Sequence, residues 1–243
     1  LENDILKKNC AREALKYIKN DSIVGLGGGS TISYLMQYIK ESKDVNIKVV
    51  TPSFKTKMLC IENGIEVLHT CSVDRIDIAF DGCDQVDKEL NALKSGGGIH
   101  TKEKLIAAMS DDYILLVDDS KFVDTLTFKY PVVLEILKDS LKYVIKKVVE
   151  LGGEPFIRKS GAKDGPTVSD GGNLLLDVNF KNVIDIKTLE RNLTSINGVI
   201  DTSLFVGVVT KVLISSKNGI NIISKNIDMS IIKKLNTRKR KYY

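Results

Sequence analysis

The chain has 243 residues, 43% apolar and 28% charged, with a formal charge of +5. That length exceeds the roughly 100–150 residues of a usual single domain, so one large and one small domain are expected. No apolar run approaches the roughly 20 residues that cross a bilayer, which excludes a membrane-spanning helix and predicts a soluble protein. Cys10, Cys60, Cys71 and Cys83 form no CxxC pair and only His69 and His100 could join them, so no metal site is expected. The opening residues, Leu1 to Lys8, lack the order of a secretory signal, and a cytoplasmic location is expected. The one dense basic run, Arg238 to Lys241, is shorter than the runs read as interaction tails; it reads as a solvated terminus, with no nucleic-acid or membrane partner.

Along the chain, apolar periodicity predicts strands over Ile23–Leu26, Ile47–Val50, Glu66–Leu68, Ile76–Phe80 and Tyr113–Val117. Helices are predicted between them, over Thr31–Ile39, Thr56–Asn63 and Lys102–Met109. Near-continuous apolar strands alternating with helices imply an α/β fold with a Rossmann-like, doubly wound and mostly parallel sheet. After Pro131 the pattern changes to an amphipathic helix at Ser140–Leu151, closed by Gly152 and Gly153, with strands near Ile157 and over Leu174–Val178. The turn Asp170-Gly-Gly-Asn173 separates Thr167–Val168 from Leu174–Leu176, and a further helix is expected over Ile186–Ile196. These elements suggest a smaller ferredoxin-like α+β domain at 131–205. Strands near Val208–Ile214 and Ile220–Ile223 return to the main domain, which is then 1–130 plus 206–243.

Ligands of open parallel sheets bind beyond the carboxyl ends of the strands, so the loops there carry the functional reading. The first, Gly25-Leu-Gly-Gly28-Gly29-Ser30-Thr31, joins a strand to a helix and offers backbone N–H groups at a positive helix end, which suits a phosphate. It is not a dinucleotide fingerprint, because Ser30 replaces the last glycine and Thr51-Pro-Ser53 supplies no ribose-binding acid; without a GK[ST] ending it is no P-loop either. As a rival, the segment is a tight turn capped by Ser30. The second loop holds Asp81-Gly82-Cys83-Asp84, whose two carboxylates can serve as acid and base or simply form a turn. Further on, Lys94-Ser95-Gly96-Gly97-Gly98 brings backbone donors and a cation, and Glu103 stands at the opening of a helix. The last loop, Asp118 to Lys121, places Lys121 within reach of the first glycine loop, and Lys7 lies on the polar side of an N-terminal helix. Each residue alone reads as easily as a solvated or dipole-offsetting side chain; their convergence at one sheet end is what suggests a site.

As an ordered set, Gly27-Gly-Gly-Ser-Thr31, Asp81-Gly-Cys-Asp84, Lys94-Ser-Gly-Gly-Gly98, Glu103-Lys104 and Asp119-Ser-Lys121 resemble type A ribose-5-phosphate isomerases. Gly152-Gly153, Val168 to Asn173 and Ile196 to Phe205 extend the resemblance over nearly the whole chain. It implies interconversion of ribose 5-phosphate and ribulose 5-phosphate without a cofactor, in a cytosolic homodimer or homotetramer. It also implies that Lys7, Ser30, Thr31 and Lys121 lie near the phosphate, that Asp81, Asp84 and Lys94 lie near the sugar, and that Glu103 accepts the proton. The chain departs from the family pattern at Gly28, where Thr is common, at Ser95, where Gly is, and at Lys102, where Arg is. The chemistry agrees with the residues: Asp81 or Asp84 shuttles hydroxyl protons, Glu103 moves the carbon-bound proton, and Lys94 with nearby N–H groups steadies the oxyanion. A non-catalytic sugar-phosphate sensor is the alternative; it would keep the phosphate loop and need no Glu103.

Overall fold

The structure, a computed structural model, describes residues 2–42, 45–161 and 164–225, so the basic run at 238–241 lies outside the described residues. After α1 (Glu2–Leu15) the chain lays down β1 (Ser22–Leu26), α2 (Ser30–Glu41), β2 (Ile47–Val50), α3 (Phe54–Glu62), β3 (Glu66–Val67) and β4 (Ile76–Asp81). A hairpin of β5 (Gln85–Asp87) and β6 (Ala92–Leu93) precedes α4 (His100–Met109), β7 (Ser110–Asp118) and β8 (Phe122–Val123). Next come β9 (Val132–Ile136), α5 (Leu141–Glu150), β10 (Glu154–Ile157), β11 (Leu174–Asn179), α6 (Ile186–Thr194) and β12 (Val199–Thr202). The chain returns through β13 (Leu204–Phe205), β14 (Lys211–Ser216) and β15 (Gly219–Ser224).

The main sheet has the order β15-β14-β7-β4-β1-β2-β3, parallel except for the edge strand β15. Alternate side chains point to opposite faces. Val24, Leu26, Phe80, Ile114 and Leu116 pack with α1 and α2 on one side, and Ala79, Leu115, Val117 and Val212 pack with Ile106 and Ala107 of α4 on the other. From β1 the chain moves outward through α2 to β2, yet β4 lies on the opposite flank of β1. The loops after β1 and β4 therefore diverge and leave a crevice at the carboxyl end, the expected ligand position in such sheets.

The second sheet, β10-β11-β9-β12, is antiparallel and covered by α5 and α6. Between sheet and helices lies a separate apolar cluster, in which Val132, Leu134 and Ile136 of β9 meet Val144 and Val148 of α5 and Leu193 of α6. The succession strand–helix–strand–strand–helix–strand, in this spatial order, is the ferredoxin-like arrangement expected for this part of the chain. β9 is an addition to the predicted elements: its five residues are all buried, and Glu135 interrupts the apolar run that would announce it. Conversely, Thr167–Val168 forms no strand beyond an isolated bridge from Val168 to Leu174. A third sheet, β13-β6-β5-β8, is a further addition; its strands of two or three residues are too short for a periodic signal.

Candidate active site

The glycine loop after β1 is shaped by what it must avoid. A Cβ on Gly27 would lie 2.0 Å from the Asp81 Oδ1 atom, so the neighbouring carboxylate occupies the space of the missing side chain. Gly29 has φ of 96°, in the left-handed region that glycine enters without strain, and it precedes the first turn of α2. No side chain caps that helix, which corrects the rival reading of Ser30 as its cap: Ser30 is the first helical residue. The amides of the first turn are thus left for a ligand, at the end where the helix dipole favours an anion.

A cavity of about 530 Å³ opens at this helix end. Lys7, Gly28, Gly29, Ser30 and Thr31 line one side, Gly82, Cys83 and Lys121 another, and Asp81, Asp84, Lys94, Gly96, Gly97 and Glu103 the remainder. The structure therefore brings together every candidate residue except Ser95. Ser95 is buried and fully engaged elsewhere: its N–H donates to Asp84 Oδ2 at 2.6 Å, its hydroxyl donates to the Pro131 carbonyl at 2.5 Å, and its carbonyl accepts from Arg158 at 2.8 Å. It fastens the loop and does not line the cavity.

Three buried ionisable groups meet on the cavity floor. The Lys94 ammonium is 3.0 Å from Asp81 Oδ2 and 3.4 Å from Glu103 Oε2, and it also donates to the Gly82 carbonyl. Burial alone would lower the Lys94 pKa, but Asp81 and Glu103 outweigh it and raise it, so the cation persists. Glu103 behaves oppositely. Burial, then the charge of Asp81, lifts its pKa to about 8 against the pull of Lys94. Asp84 accepts from the N–H groups of Ser95 and Gly96, tying the β4 loop to the glycine loop. Lys121 donates to the Cys83 carbonyl at 2.9 Å, and burial pushes the Cys83 thiol up to about 12, leaving it a neutral wall.

Other residues at the site carry no signal in the sequence. Tyr113 donates its hydroxyl to Asp81 Oδ2 at 3.2 Å, but in sequence it is one more large residue in a buried strand. Ser53, Phe54 and Asp170 line the cavity from the β2–α3 connection and the second sheet's turn. Asp170 is turn chemistry, as expected, and that turn is held by Glu135, whose carboxylate accepts from Ser169 at 2.6 Å and Asn173 at 2.8 Å. No local pattern could announce a contact set by the packing of two sheets.

The comparisons with known proteins agree with this geometry. The family model described as ribose 5-phosphate isomerase A (phosphoriboisomerase A) matches residues 48–219. The chain is 38% identical over 218 residues to the ribose-5-phosphate isomerase A of a Synechococcus species, covering 88% of this chain and 94% of that protein. It is 37% identical over 224 residues to that of Pyrococcus furiosus, covering 90% and 98%. The solved structure of ribose 5-phosphate isomerase A from Methanocaldococcus jannaschii superposes with a TM-score of 0.86 at 34% identity, over 92% of this chain and 100% of that one. A D-ribose-5-phosphate isomerase solved with phospho-erythronic acid superposes with a TM-score of 0.87 at 33% identity, over 93% and 100%. The chain belongs to the ribose-5-phosphate isomerase A family.

Proposed function

We propose that Glu103 is the base of this isomerase, taking the proton from C2 of open-chain ribose 5-phosphate and returning it to C1 to give ribulose 5-phosphate. The observation that supports this most is a buried carboxyl at the cavity floor, raised to about 8 and set beside a persistent cation. A base that holds its proton this firmly is matched to removing one from carbon, and burial keeps water from competing. As the C–H bond breaks, charge moves onto the carbonyl oxygen, where the Lys94 ammonium opposes it. On this reading Asp81 and Asp84 carry hydroxyl protons between the sugar oxygens and assist ring opening. The phosphate is read at the uncapped start of α2, with Lys7 and Lys121 adding charge; the phospho-erythronic acid of the structural neighbour is a ligand of similar chemistry.

The reading carries with it a homodimer or homotetramer, a cytoplasmic location and no cofactor. It also keeps the division into 1–130 plus 206–243 and 131–205, which is supported by the packing of the second sheet's strands against α5 and α6. Glu103→Gln tests the central assignment: kcat should fall by about 10² to 10⁴ while sugar-phosphate binding persists. Turnover within a few-fold of wild type in a folded variant would remove Glu103 from the mechanism.

A further inference from the structure

The connection from β2 to α3 forms one wall of the cavity, and its Ser53 is fixed by its neighbours. The Ser53 N–H donates to Thr51 Oγ1 at 3.1 Å, its carbonyl accepts from the Lys57 N–H at 2.9 Å, and its hydroxyl oxygen accepts from the Thr56 N–H at 3.2 Å, capping α3. Buried Thr56 in turn donates its hydroxyl to the Gly27 carbonyl at 2.7 Å, which ties the start of α3 to the glycine loop. Gly28 stands opposite. Asp81 leaves no room for a side chain at Gly27, and Gly29 has a positive φ, but neither constraint acts on Gly28: its φ is not positive, and a Cβ there would make ordinary contact with Ser53 Oγ at 3.5 Å. The glycine therefore leaves the Ser53 hydroxyl open to the cavity that both residues line.

We propose that Ser53 is a substrate-binding residue, whose hydroxyl donates to an oxygen of the bound sugar phosphate across the gap that Gly28 leaves. The inference rests on the reading of this cavity as the sugar-phosphate site. A serine hydroxyl has one proton to donate besides its lone pairs. The cap of α3 uses a lone pair, and among the described residues the proton has no acceptor. Because the cap already holds the oxygen in place, little side-chain freedom is lost when a ligand accepts that proton. Ser53 also lies at the amino end of α3, a second helix whose dipole favours an anion.

The experiment measures KM and kcat for ribose 5-phosphate in Ser53→Ala, Gly28→Thr and the double variant. Ser53→Ala should raise KM by about 3- to 10-fold and change kcat less than about 3-fold. In the Gly28→Thr background, where the new side chain covers the Ser53 oxygen, the same replacement should change KM less than about 2-fold. Loss of the cap alone is not shielded in this way, so an equal rise of KM in both backgrounds overturns the proposal, as does an unchanged KM in Ser53→Ala. If Ser53→Ala does not fold, Ser53→Gly keeps most of the capping stability and removes the same hydroxyl, and KM should rise equally. Lys7→Ala, on another wall, separates the two readings: KM unmoved there strikes the siting of the phosphate, whereas KM raised there and unmoved in Ser53→Ala strikes Ser53 alone.

Discussion

At Gly27 a single methyl group would collide with the carboxylate that completes the site, so Gly27→Ala is expected to cost at least about 10² in kcat/KM by displacing Asp81. A steady-state assay on folded protein checks this. Glu103 makes a prediction of a different kind. Its pKa is raised to about 8 from the ordinary 4.5, so kcat/KM should climb with pH along a limb near 8. The same shift acts on stability: the contribution is present in full below the unfolded value and is lost as pH rises through the folded one. Glu103→Gln should therefore gain stability relative to wild type on going from about pH 4 to about pH 9, as read by thermal unfolding. Wild type and variant diverging in the opposite sense would show that the carboxyl is not held protonated.

The loop after β4 and the glycine loop before α4 are tied to one another by backbone donors, with Asp84 as the knot. Ser95 belongs to that fastening. Ser95→Ala removes only the hydroxyl donated to the Pro131 carbonyl, so about 1 kcal/mol of stability should be lost with KM changed less than about 2-fold. A large rise in KM with unchanged stability would return Ser95 to the ligand-contacting set. Elements are legible in the sequence where strands and helices are long, as in β4, β7 and α2, and illegible for β5, β6, β8 and β13. Strands of two or three residues are stabilised by their neighbours in the sheet, not by their own pattern.

Across the whole molecule, α4 joins the main sheet and the second sheet. Its Lys104 pairs with Asp201 of β12 at 2.5 Å and approaches Glu190 of α6 at 3.7 Å, and His100 is buried at the same junction. Burial lowers the His100 pKa to about 4 against the opposing pull of Asp201. Stability is then present above the ordinary value of 6.5 and lost as pH falls through about 4, on the order of 3 kcal/mol. Replacing His100 with Leu should flatten that acid loss in denaturant titrations; an equally steep loss would place its origin elsewhere. By itself the sequence determined the alternation of strand and helix, the glycine loops and the set of acids and lysines at the strand ends, because each is a local property of residue type and spacing. Only the tertiary structure decided that Ser95 turns away, that Tyr113 donates to Asp81 and that Asp170 reaches the cavity. Those facts depend on which strands lie side by side, and strand order is set by packing between segments far apart in the chain.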